Sequence, residues 1–192
     1  MKYSFLDYFY LGYRLICSKL FFGYKVRIIK SKPRILRKGN IVFSEGFTAG
    51  YNFRCECVSS DSKIFFGKNV KLNDDVHVGA FKSIIIEDDC LIGSRVTIID
   101  HDHGNYNGSN AHSCPEEVPD ERELVGEPIV IGKKVWIGDG AVILKGVHIY
   151  KGSVVAANSV VTKSYDYACI LAGIPAKPIK KFCWVENKWV NL

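Results

Sequence analysis

Residues 100–106 read Asp-His-Asp-His-Gly-Asn-Tyr, so two imidazoles stand two positions apart with a carboxylate before each. A neutral imidazole is the side chain best suited to taking and returning a proton near pH 7. A carboxylate beside it can hold the second ring nitrogen and fix the tautomer. His101 and His103 are therefore the catalytic candidates, with Asp100 or Asp102 as the partner that orients one of them. Solvation of a loop explains both aspartates equally well. The seven cysteines, Cys17, Cys55, Cys57, Cys90, Cys114, Cys169 and Cys183, offer a different chemistry. Their number is odd, their spacings are irregular, and Cys55-x-Cys57 has no second close pair to complete a zinc site. We read them as reduced, mostly buried thiols of a cytosolic protein, and we expect no metal.

The element that must position these histidines is a repeat. From residue 131 the chain reads IGKKVW, IGDGAV, ILKGVH, IYKGSV, VAANSV, VTKSYD. Aliphatic residues recur every six positions at Ile131, Ile137, Ile143, Ile149, Val155 and Val161, and a smaller set follows four residues after each, at Val135, Ala141, Val147, Ser153 and Ser159. A period of six matches neither the 3.6 of a helix nor the alternation of a plain strand. It matches a strand and turn forming one side of a triangular coil, three hexads to the coil, with neighbouring coils paired as parallel strands. The same spacing runs upstream through Ile41, Phe47 and Phe53, then Phe66, Leu72 and Val78, then Ile86, Ile92 and Ile98. The phase slips by two between Phe81 and Ile85, which predicts a bulge or small loop there. The expected organisation is an N-terminal segment over residues 1–40, the coil over 41–165, and a C-terminal turn and cap over 166–192.

The repeat stops at residues 101–128, a stretch rich in Pro, Asn, Gly and acidic side chains that begins with the two histidines. A long insertion in a compact repeat is usually functional. Residues 1–30 differ in kind: aromatic, aliphatic and basic, and interrupted by Asp7, Arg14 and Lys19, which argues against a membrane span. Two readings stay open. The segment packs on the body of the protein or on a neighbouring subunit, or it lies on a membrane surface with Lys19, Lys25, Arg27 and Lys30 toward lipid phosphates. The start has no basic-then-apolar-then-small pattern of a signal peptide. Of the 192 residues 47% are hydrophobic and 24% charged, which is a globular composition. The net charge of +6 fits an ordinary basic protein or affinity for phosphates. No helix-turn-helix, zinc-finger or RNA-binding aromatic pattern is present, so nucleic acid is not expected as a partner.

In combination, the hexads, the histidine loop, Val-Trp-Ile-Gly at 135–138, Val-Thr-Lys at 161–163 and Gly-Ile-Pro-Ala-Lys at 173–177 resemble the hexapeptide-repeat acyltransferases. Galactoside and maltose O-acetyltransferases belong there, as do O-acetyltransferases of lipopolysaccharide and capsule biosynthesis. The Asp-His-Asp-His-Gly-Asn-Tyr segment and the aromatic N-terminus look most like the polysaccharide branch. The resemblance covers about residues 64–181. It implies an all-β fold, a left-handed parallel β-helix with an inserted active-site loop and a short C-terminal cap; the handedness comes from the family, not from the periodicity. It implies a cytoplasmic homotrimer with active sites between subunits, acetyl-CoA as co-substrate, and a saccharide hydroxyl as acceptor.

Carried over residue by residue, alignment from Val96 puts the family's general base on His103, with His101 in reach if the loop slips by two. Trp136 matches the tryptophan beside the pantetheine arm. Gly138, Asp139, Ala141, Ala156 and Ala157 match positions lining the groove between coils. Thr162 and Lys163 match the adenosine end, and Gly173, Pro175 and Lys177 the loop beside adenine, with Lys177 and Lys180 available to coenzyme phosphates. Asn73 and Asp74 match a region that often contacts acceptor, although a turn explains them as well. An N-acetyltransferase of an aminosugar nucleotide would share this fold and coenzyme. A zinc enzyme using His77, His101 and His103 fits poorly, because the His-x-His spacing departs from that family's pattern. A non-catalytic scaffold would bind no acetyl-CoA.

Overall fold

The computed structural model describes residues 4–108 and 112–192. Its body is a left-handed β-helix of about seven turns, triangular in section and with three parallel sheets as faces. The first face stacks Ile28–Ile29, Thr48–Ala49, Lys71–Leu72, Leu91–Ile92, Trp136–Ile137, Val154–Val155 and Cys169–Gly173. The second stacks Arg34–Arg37, Arg54–Cys57, His77–Ala80, Thr97–Ile99, Val142–Ile143 and Val160–Val161. The third stacks Asn40–Phe43, Lys63–Phe66, Ser83–Ile86, Ile129–Ile131 and His148–Ile149, and a single bridge from Ile149 to Tyr165 follows.

The six-residue period becomes visible in the core. Ile131, Ile137, Ile143, Ile149, Val155 and Val161 are all buried, and so is the smaller set Val135, Ala141, Val147, Ser153 and Ser159. Each buried Ile or Val contributes about 1.5–3 kcal/mol relative to exposure, and stacking makes that contribution continuous from coil to coil. Toward the N-terminal end the column becomes aromatic, with Phe43, Phe47, Phe53 and Phe66 in mutual ring contact. Corners turn through left-handed residues such as Asn69 (φ 56°), Asp89 (φ 60°) and Asn158 (φ 57°), types that tolerate that conformation. Gly138 permits a close approach: a Cβ there would sit 2.6 Å from the Ala157 backbone nitrogen.

Two features differ from the sequence-based expectation, and the phase slip meets it. The coil begins at Ile28, not near residue 41, because Ile28–Ile29 pairs with Thr48–Ala49 and Arg34–Arg37 pairs with Arg54–Cys57. The six-residue spacing of Ile41, Phe47 and Phe53 continues back through Ile35 and Ile29, both packed in or against the core, a continuation masked by the basic residues between them. The phase slip is a turn at Phe81–Lys82 between the strands His77–Ala80 and Ser83–Ile86. Ala141 faces the core with no exposure, so its side chain does not line a groove; its place in the inward set decides this.

Residues Phe5–Phe22 form a helix, α1. Ser4 caps it, accepting from the Asp7 amide while the Asp7 carboxylate accepts from the Ser4 amide. It ends at Gly23 (φ 92°), whose N–H donates to the Lys19 carbonyl. Phe22 packs edge-on against Phe43, so α1 lies at the N-terminal end of the prism. At the other end, Cys169–Gly173, Ala176–Cys183 and Lys188–Asn191 form an antiparallel meander that extends the first face.

Candidate active site

The insertion leaves the prism where the second face turns into the third. Strand His101–His103 pairs antiparallel with Leu124–Gly126, making a hairpin arm at that edge. Asp100 anchors its root. The side chain is fully buried, Oδ1 accepts the Phe81 N–H at 2.6 Å, and Oδ2 accepts the Lys82 N–H at 2.8 Å. The same Oδ1 lies 3.1 Å from Nδ1 of His101. Two amide donors satisfy the carboxylate oxygens, and a hydrogen bond from Nδ1–H of His101 to Oδ1 would leave Nε2 available to accept. Asp102, the alternative partner, is turned away to Lys145 at 2.6 Å.

The two imidazoles face different surroundings. The His101 side chain is 12% exposed and lies over the prism wall: a Cβ at Gly79 would be 3.9 Å from its Cε1 and 3.5 Å from His77 Nε2. His103 is exposed further out on the arm, its ring centroid 6.4 Å from that of His101. Beyond it the loop is pinned by Tyr106, whose hydroxyl donates to the His103 carbonyl, and by Arg122, which donates to the Tyr106 hydroxyl at 2.7 Å and to the Glu117 carbonyl at 2.8 Å.

One coil below, a polar row went unseen in the sequence. His77 Nε2 meets Glu56 at 3.1 Å, and Arg54 meets the same carboxylate oxygen at 2.8 Å. Burial pushes the His77 imidazole below its ordinary value, against the Glu56 carboxylate that pulls it up. Burial would raise the Glu56 carboxyl, but the hydrogen bonds from Arg54 and His77 outweigh it and hold the group low. Arg54 and His77 stand at equivalent positions of successive coils, with Glu56 two residues after Arg54 on the same strand, an arrangement legible only once the register is known.

The remaining candidates divide between two edges. Gly138, Asp139, Ala156 and Ala157 come together where the first face turns into the second: Gly138 N–H donates to the Val155 carbonyl, and Asp139 Oδ1 accepts the Ser94 N–H at 2.8 Å. Trp136 is half exposed on the adjoining first face, directly above Leu91. Gly173, Pro175, Lys177 and Lys180 lie in the meander continuing that face. Asn73 and Asp74 are on this same edge, two coils below Gly138; Asp74 Oδ1 accepts the Tyr51 N–H at 2.8 Å and so closes a turn. Thr162 and Lys163 follow Val160–Val161 and stand on the histidine edge. Within one chain, the imidazoles and this cluster of small residues are therefore separated by the width of the second face. Six near-extended residues span roughly 20 Å, and Trp136 lies on the face opposite the histidine edge.

The profile of a bacterial transferase hexapeptide (six repeats) matches residues 128–163, and that of a hexapeptide repeat of succinyl-transferase matches residues 83–104. A proposed lipopolysaccharide biosynthesis O-acetyltransferase of Escherichia coli K12 is 37% identical over 188 residues, covering 98% of this chain and 95% of that one. The chain is a hexapeptide-repeat acyltransferase. Solved structures repeat the fold of this acyltransferase at lower identity. A hexapeptide-repeat acetyltransferase of Vibrio cholerae, complexed with acetyl-CoA, superposes with a TM-score of 0.55 at 24% identity, over 92% of this chain and 82% of that one. An N-acyltransferase of Bacillus cereus, bound to dTDP-4-amino-4,6-dideoxyglucose and coenzyme A, gives 0.53 at 24%, over 82% and 81%. A galactoside acetyltransferase in complex with coenzyme A gives 0.51 at 22%, over 92% and 76%.

Proposed function

We propose that this acyltransferase moves an acetyl group from acetyl-CoA to a hydroxyl of a saccharide or polysaccharide precursor. It does so as a homotrimer whose sites are completed between subunits. The observation that carries this is the division of the machinery: a hairpin bearing the imidazoles at one edge, and a groove of small residues beside Trp136 at another. Two copies side by side bring one chain's hairpin to the other's groove. The small residues Gly138, Ala156 and Ala157 suit a thin pantetheine arm lying against the backbone, and Lys177 and Lys180 suit its phosphates. Thr162 and Lys163, on the histidine edge, would meet the same coenzyme from the neighbouring side.

His103 is the proposed base, because it projects away from its own prism and matches the family histidine. Its imidazole takes the proton as the sugar oxygen bonds to the thioester carbonyl carbon. When the tetrahedral adduct collapses, the C–S bond breaks and the imidazolium returns the proton to the leaving thiolate. No covalent enzyme intermediate is needed. His101, oriented by Asp100 over Gly79, serves the acceptor side of the site, and Asn73 with Asp74 of the adjoining subunit would contact the acceptor as well. The relative identical at 37% is named for O-acetyl transfer, which favours a hydroxyl over an amino acceptor. Among the described residues no helix is long and apolar enough to cross a membrane. We place the enzyme in the cytoplasm, against the inner face of the membrane, with residues 1–30 as the contact.

Coenzyme A release, screened over sugars, nucleotide sugars and oligosaccharides, tests the reading. His103→Ala should lower kcat by about 10²–10⁴-fold, whereas His101→Ala should raise the acceptor KM more than it lowers kcat. Full turnover in His103→Ala would remove His103 as the base, and preference for an amino acceptor would make the enzyme an N-acetyltransferase.

A further inference from the structure

The helix α1 is amphipathic in the wrong sense for a helix on a soluble body, which normally buries its apolar stripe. Its buried face carries Arg14, Cys17 and Ser18: Arg14 donates to the carbonyls of Ile29 at 3.2 Å and Ser31 at 2.6 Å, and Ser18 accepts the Ile29 N–H at 2.8 Å. The side turned outward carries Phe5, Phe9, Tyr13, Ile16 and Leu20, all exposed. Eleven of the twenty-five large hydrophobic side chains exposed among the described residues fall within residues 5–24, so the apolar surface is gathered at one end of the prism.

Charge says what covers it. Residues 1–40 hold ten Lys and Arg against one Asp, a net +9, and residues 41–192 hold sixteen against nineteen acids, a net −3. A second copy packed on this end would set +9 against +9. An anionic lipid surface offers hydrocarbon to the phenylalanines and phosphates to the cations at once. A cavity of 610 Å³ also opens between α1 and the strand Arg34–Arg37. Tyr13, Phe21, Phe22 and Ile35 give it apolar walls, and Lys32 and Arg37 line it too. Neither the Lys32 nor the Arg37 side chain makes a hydrogen bond or ion pair among the described residues.

We propose that the α1 end of the prism docks on an anionic bilayer, and that the cleft beside α1 takes the acyl chain of one phospholipid with its phosphate on Lys32 and Arg37. A trimer presents three such ends on one side, which multiplies the attachment. This gives residues, lipid charge and a lipid-sized cleft to the membrane contact proposed above, and it does not depend on the acyl-transfer chemistry.

The test is co-flotation of the full-length protein with phosphatidylcholine vesicles containing about one-third phosphatidylglycerol, and with phosphatidylcholine alone. Binding should require the anionic lipid and weaken as salt shortens the Debye length. Lys32→Gln with Arg37→Gln should weaken it by about tenfold to thirtyfold, and Phe9→Ser with Leu20→Ser should weaken it on the anionic vesicles at every salt concentration. Coenzyme A binding and assembled mass, measured on every variant, should stay as in the wild type. Absence of vesicle binding with coenzyme A binding intact overturns this proposal and leaves acyl transfer standing. Loss of assembled mass in Phe9→Ser with Leu20→Ser also overturns it, because a second copy then covers α1. Loss of coenzyme A binding by the wild type would instead sink the acyl-transfer reading alone.

Discussion

Asp100 shows how one side chain can serve both fold and chemistry. Its two oxygens tie the Phe81–Lys82 turn to the root of the hairpin, and one of them also fixes His101. Asp100→Asn leaves a single acceptor oxygen and sets an amide N–H against a backbone donor. An unsatisfied buried donor costs about 1–3 kcal/mol, so urea unfolding should show a loss of that size. Acetyl transfer should fall as well, because His101 loses its orienting carboxylate; unchanged unfolding would mean that the turn finds other partners. The sequence offered Asp100 and Asp102 on equal terms. Choosing between them requires the fold, because the Phe81 and Lys82 amides that claim Asp100 lie a full coil away in sequence. Ala141 teaches the opposite lesson: its place in the inward set was already legible in the hexads, and it outweighs the match to a groove position.

At the scale of elements, strands are set by the repeat and by register. The hexads from Ile131 onward were readable because each coil side there is six residues long. Upstream one side is longer: Cys55 on the second face and Ile64 on the third, which pair with Ile35 and Ile41, lie nine residues apart, and the period slips there. The row Arg54, Glu56 and His77 on the second face follows from that register. His77 also has the His101 imidazole near it, a further influence that disfavours its charged form. Its folded-state value lies below the 6.5 of the free group, so the unfolded chain binds more protons as pH falls through 6.5. The stability that His77 contributes is therefore complete above 6.5 and is lost as pH falls through its lowered value. Glu56, held below its ordinary 4.5, loses its contribution only at more acidic pH. Urea unfolding should show stability falling from pH 7 to pH 5, and His77→Asn should flatten that interval. An equally steep fall in His77→Asn would place the titrating group elsewhere.

At the scale of the whole molecule, the prism separates its tasks along and around its axis. The N-terminal end is cationic and apolar, with α1 outermost, and the opposite end carries the meander with Lys177 and Lys180. Around the axis, the histidine arm and the small residues Gly138, Ala156 and Ala157 occupy different edges, so in the proposed trimer a single chain would hold two halves of different sites. The tryptophan, the glycines and the imidazoles were all visible in the sequence; their separation was not, because it depends on which corner each hexad turns. The most direct test combines two inactive proteins, His103→Ala and the groove-blocking Ala157→Arg, by joint refolding. Mixed trimers contain interfaces with an intact arm from one chain and an open groove from the next. Random assembly makes roughly a quarter of the interfaces whole, and coenzyme A release should recover to about that fraction of the wild-type rate. If the mixture stays as inactive as its parents while mixed trimers demonstrably form, each site lies within one chain and the shared-site account is wrong.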